Sequence, residues 1–377
     1  MPNASQTKPD RSTVRASAFV KTRPLAALAL VVGGLLSFFG VTRSWGNNRK
    51  RLAQDQAQDE RAQDERAQDQ RERGDGISAR AIDKFWTVYH GNDYAAIPDV
   101  QNELKRAIQA DPNNPTLYAL LGATHFWHVS ELTRDQNPLA DQKIFAQDMP
   151  TAAALFQKAL DLDYYTEHPI GYINDDHLPG YLGITTVHTG QLYGNPNLIA
   201  KGDGILNFAS YQFPEFNNFN RWAAHLNDAK DTETYKKALD ALWQGIDSCA
   251  GTKMDRSNPD LKPYLNLVTS VGRKKTCWWE GDIAPYSFEG YMLNLGNGLV
   301  KAGQVDAAKV VYANAKYASN YATWPYRDVL ETIAASDLNA RAALYAAGAN
   351  PKNAPPLTVP NRSCVYCHAT VPEPKSN

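Results

Sequence analysis

Residues Val100 to Pro115 read V-Q-N-E-L-K-R-A-I-Q-A-D-P-N-N-P and run straight into T-L-Y-A-L-L-G-A-T, Thr116 to Thr124. Leu104 and Ala107 stand at a three-residue step, one apolar face of a helix, and the pattern ends before Pro112. A second apolar run then begins with no intervening strand signal. The same three- and four-residue spacing recurs from about residue 77 to 350, whereas alternating β-branched runs are scarce. The sequence therefore predicts an all-α fold.

The junction resembles that between tetratricopeptide repeats. In such repeats the second helix carries small and large apolar residues at fixed steps and ends before a proline, places held here by Leu104, Ala107 and Pro112. The next first helix carries Tyr118, Leu121 and Gly122. Its second helix, Thr151 to Asp163, supplies Ala152, Phe156 and Ala159, with Tyr164 where the family has proline, and an insertion of roughly His128 to Pro150 splits the repeat. Leu295-Gly296 with Ala308, Tyr312 and Ala315 repeats the spacing, and Leu182-Gly183 stands where another repeat would open. The resemblance implies helical hairpins stacked into a tetratricopeptide-like α-solenoid with long insertions, whose concave face docks a protein partner. The competing architecture is an irregular helical bundle.

Near the other end lies Cys364-Val365-Tyr366-Cys367-His368, the C-x-x-C-H spacing that attaches a c-type haem. Two thiols one helical turn apart can each form a thioether, and the adjacent imidazole falls under the iron. The motif points to one covalent haem c on Cys364 and Cys367, with His368 as axial iron ligand; a zinc site is the alternative. A small cytochrome c domain places this motif near its front, with a distal methionine after it. Here nine residues follow His368, and none is Met or His. A sixth ligand, if the position is filled, comes from upstream (His125, His128, His168, His177, His188, His225, Met149 or Met254) or from a partner, and a vacant position would admit a small ligand or a peroxide. The stretch holding His168, His177 and His188 is the densest in metal-ligand types and is favoured.

The N-terminus supplies a compartment. Residues 1–24 are basic, and 25–41 form an uncharged apolar run that reads as an uncleaved signal anchor, the alternative being a cleaved signal and release to the periplasm. A charged, repetitive linker (42–76) leads to the helical domain (77–350) and a Pro-rich tail bearing the haem motif (351–377). Haem attachment to such motifs occurs outside the cytoplasm, so the main domain is expected in the periplasm, held to the inner membrane. In that compartment Cys249 and Cys277 are expected to form a disulfide. With 39 basic against 40 acidic residues, nucleic acid is not the expected partner. Together these features predict a one-electron carrier that docks a redox protein on its repeats. The alternatives are a scaffold or assembly protein with a structural haem, and a haem-based sensor or peroxidase.

Overall fold

The computed structural model describes residues 76–130, 138–163, 177–267, 283–345 and 365–371. They are mostly helical, with no strand among the described residues, in agreement with the all-α reading. The anchor at 25–41, the linker, His168, Cys277, Cys364 and the Pro-rich 351–364 lie outside the described residues. Among the described residues no helix is long and apolar enough to cross a membrane.

The chain forms α1 (76–90), a 3-10 turn at Tyr94–Ala96, α2 (Ile97–Ala110), α3 (Pro115–Ser130), α4 (Pro138–Asp163), α5 (Leu178–Leu192), α6 (Pro196–Gln212), α7 (Pro214–His225) and α8 (Glu233–Ala250). After a 3-10 stretch at Lys262–Leu267 come α9 (Ser287–Lys301), α10 (Val305–Asn314), α11 (Arg327–Ala335), α12 (Leu338–Ala343) and the short α13 (Val365–His368). Prolines open several of these helices, where their missing N–H would have had no intrahelical partner. The α6 start is capped by Asn195, whose side chain accepts from the amides of Asn197 and Leu198. Thr232 caps α8 in the same way through the amide of Tyr235.

Consecutive helices pack on one another from α2 through α8, and α9 packs on α10. Burial divides them into two kinds. In α2 a single face, Ile97, Val100, Leu104 and Ala107, is buried, so this helix lies outside. By contrast α3 and α9 are buried around most of their circumference and run through the interior. Within the pairs, backbone approaches side chain closely at the glycines named above. A Cβ on Gly122 would meet the Phe156 ring of α4 at 3.1 Å, and one on Gly183 would lie 2.7 Å from Leu206 Cγ of α6.

Two boundaries differ from the sequence reading. The first concerns α4, which runs unbroken through Pro150 from Pro138, while α3 continues past His128 to Ser130; the expected insertion is therefore partly helix. Pro150 removes one amide donor from the ladder; next to it the Thr151 hydroxyl donates to Gln147 O at 2.7 Å and Met149 is buried. The second concerns the tail. Val365, Tyr366 and Ala369 are buried in the same core cluster as Phe85 and Tyr89 of α1 and Leu293 of α9. The described part of the tail is thus built into the helical body.

Cys249, at 1% exposure, is disulfide-bonded. Cys277 falls outside the described residues.

Candidate haem-attachment site

The second half of the C-x-x-C-H motif is gripped from three sides. Helix α13 lies on α9 where Gly290 has no side chain: a Cβ there would be 2.4 Å from Cys367 Sγ and 3.1 Å from the carbonyl carbon of Tyr366. The amide of Tyr286 donates to Cys367 O at 3.0 Å, and the Trp324 indole Nε1 donates to Tyr366 O at 2.9 Å. The Tyr366 ring meets Tyr326 edge-on at 4.8 Å. From α1, the carbonyl of His90 accepts both the amide of Thr370 at 2.9 Å and its hydroxyl at 3.0 Å. Helix α1 ends at residue 90, so this carbonyl is one of those a helix terminus leaves unpaired, and the tail satisfies it.

His368 is oriented by one bond. Its Nδ1 lies 2.6 Å from Ile283 O, and a carbonyl only accepts, so Nδ1 carries the proton and Nε2 keeps its lone pair. The ring packs on Tyr89 at 5.0 Å, and Tyr89 in turn meets Trp127 of α3 edge-on at 4.9 Å. Burial, with a smaller contribution from the His90 charge, pushes the His368 imidazole down to about 4, against the opposing hydrogen bond to Ile283. At neutral pH the ring is uncharged. A neutral imidazole whose Nδ1–H is held by a backbone carbonyl is the arrangement in which histidines ligate metals through Nε2.

Cys367 is not disulfide-bonded, and its Sγ lies 3.9 Å from Ser287 O. A thiol one residue before an oriented, neutral imidazole is part of the donor set that a covalently attached haem uses, and these two side chains fit that group; the second thiol, Cys364, lies outside the described residues. Among them no set of three or more His, Cys, Asp or Glu is arranged to hold a bare metal ion.

Five of the other described histidines make contacts of their own. His177 precedes α5 with its ring against Phe213 and Phe216, at 5.0 and 4.2 Å. His188 bonds Gln191 Oε1 through Nδ1 at 2.9 Å and is held below its ordinary range by burial. His125 and His128 do share a site, as their spacing on α3 suggests: each brings Nδ1 to one oxygen of the buried Asp148, at 2.9 and 2.5 Å. His225 is clamped between Asp203 and Asp228, both at 2.8 Å. Among the described histidines, His90 shares an acceptor with His368: its Nε2 lies 3.1 Å from the same Ile283 carbonyl. It lies 278 residues before His368 in no recognisable motif, and no local signal in the sequence marks it.

No family model, no curated protein and no solved structure matches this chain.

Proposed function

We propose that this protein is a membrane-anchored, periplasmic c-type cytochrome with one haem, which transfers single electrons and docks its redox partner on a tetratricopeptide-like solenoid. The observation that carries the reading is the bond from His368 Nδ1 to Ile283 O within the C-x-x-C-H segment, which leaves Nε2 as the available ligand atom. Cys364 and Cys367 would hold the porphyrin through thioethers, and His368 Nε2 would ligate the iron. A haem bound there supplies a one-electron ferric/ferrous couple. The contacts of Gly290, Tyr286, Trp324 and Thr370 hold the backbone from Tyr366 to Thr370 on the helical body, which supports His368 as a fixed ligand.

The solenoid reading is supported by the recurring glycine approaches in α3, α5 and α9 and by the succession of packed neighbours. The compartment reading rests on residues 25–41 and on the chemistry of the haem motif.

A pyridine haemochrome assay with a reduced-minus-oxidised spectrum tests the proposal. One haem per chain is expected, retained through acid-acetone extraction and lost from the Cys364→Ala, Cys367→Ala double variant. A protein that purifies with stoichiometric zinc and no Soret band is not a cytochrome.

A further inference from the structure

We infer that His90 is a positioning residue that sets the strength of the hydrogen bond on Nδ1 of His368, through the carbonyl of Ile283 that the two imidazoles share. The inference rests on the haem reading above and extends it beyond the motif. Ile283 O receives His368 Nδ1 at 2.6 Å and His90 Nε2 at 3.1 Å. Since the carbonyl only accepts, both ring nitrogens carry protons, and both draw on one oxygen with two lone pairs. Each donor withdraws electron density from that oxygen, so His90 weakens the bond that His368 makes.

That bond matters because the partner of the far nitrogen governs how basic a ligating imidazole is. A strong acceptor on Nδ1–H gives the ring anionic character, which stabilises the ferric state; a shared acceptor gives it less. With His90 in place the couple is poised higher than with His368 alone on Ile283. His90 is itself held well enough to do this. Its ring packs on Trp86 at 5.4 Å, and its own carbonyl takes both Thr370 bonds, so one residue clamps the segment after His368 and shares the acceptor of its side chain.

The test compares wild type, His90→Phe and His90→Gln in the full chain. Phe keeps a ring against Trp86 and removes the donor; Gln restores an N–H at similar reach. Two readouts are taken: the midpoint potential of the haem-loaded protein, and the 15N and Nδ1–H shifts of His368 in the haem-free background lacking Cys364 and Cys367. His90→Phe is expected to lower the potential and to move the Nδ1–H resonance downfield, and His90→Gln to return both towards wild type. If His90→Phe folds and both quantities stay at their wild-type values, the inference is wrong. Should Phe prove too large to fold, His90→Leu takes its place with the same two outcomes. Wild type without covalent haem would overturn the proposed function alone, because the haem-free resonance still decides the role of His90.

Discussion

A Cβ on Gly296 would lie 2.2 Å from Cε1 of Tyr312, so the glycine of α9 is the seat on which the tyrosine of α10 rests. The ring has nowhere to retreat. Tyr312 is 1% exposed, its hydroxyl donates to Asn297 Oδ1 at 2.8 Å, and burial raises that hydroxyl far above its ordinary value.

Gly296→Ala is therefore expected to destabilise the protein by about 1–3 kcal/mol, the usual cost of forcing one extra carbon into a packed core. Gly204→Ala, on the same chemistry but with open space at its Cβ, serves as the control and should be neutral or slightly stabilising. Equal urea midpoints for wild type and Gly296→Ala would show that α9 and α10 do not meet in this way.

Gly290→Ala acts on the motif itself. The new methyl would stand against Cys367 Sγ and the backbone of α13, so the segment must lift from α9. Amide hydrogen exchange across residues 365–371 should accelerate and the yield of covalent haem should fall. Exchange at the wild-type rate in this variant would contradict the docking described here.

Asp148 is 4% exposed and serves two imidazoles. Burial alone would raise its carboxyl, but the hydrogen bonds and charges of His125 and His128 hold it below the ordinary range. Asp148→Asn leaves at least one buried ring with a neutral and poorer acceptor, a loss of about 1–3 kcal/mol. Because neither histidine contacts the motif in this arrangement, the haem spectrum should not change. A shift of spin state in Asp148→Asn would instead make His125 or His128 the sixth ligand.

His225 and Lys301 give the protein a pH signature. Burial pulls the His225 imidazole down, but hydrogen bonds and charge from Asp203 and Asp228 overcome it and raise it from 6.5 to about 9. Its stabilisation is complete below about pH 6.5 and is lost as pH rises through 9. Lys301, whose Nζ donates to Leu226 O at 2.7 Å, runs the opposite way. Burial, against the Asp228 charge, lowers it to about 8, so the penalty on its charged form is complete below that pH and vanishes towards 10.5. Together they place a minimum of stability between about pH 8 and 9, shallower than neutral pH by about 1–2 kcal/mol. Urea midpoints from pH 6 to 10 measure it. Asp203→Asn should weaken the falling limb and Lys301→Met should remove the rising one; a profile flat across this range would refute the assignment.

What could be read from the sequence was whatever is written in local spacing. Helices with apolar residues three and four apart appear where expected, and Gly122, Gly183 and Gly296 meet Phe156, Leu206 and Tyr312 of the next helix along the chain. The true start of α4 was hidden, because Pro150 normally argues for a helix boundary, yet the helix runs through it. Most opaque was the pairing of His90 with His368. A hydrogen bond relayed by the backbone of Ile283 depends on no side-chain identity at that position, so no spacing rule could have revealed it.

The double bond from Thr370 to His90 O has a consequence for how the protein comes apart. In a linear stack of hairpins the first and last units loosen independently, each with a local opening free energy far below the global one. Here the first described helix and the last are buttoned together, and Asn92 adds a second fastening through Tyr326 at 3.0 Å. Loosening one end requires releasing the other. During synthesis the carbonyl that closes α1 waits for a residue 280 positions later, so this part of the body is completed only after Thr370 has emerged.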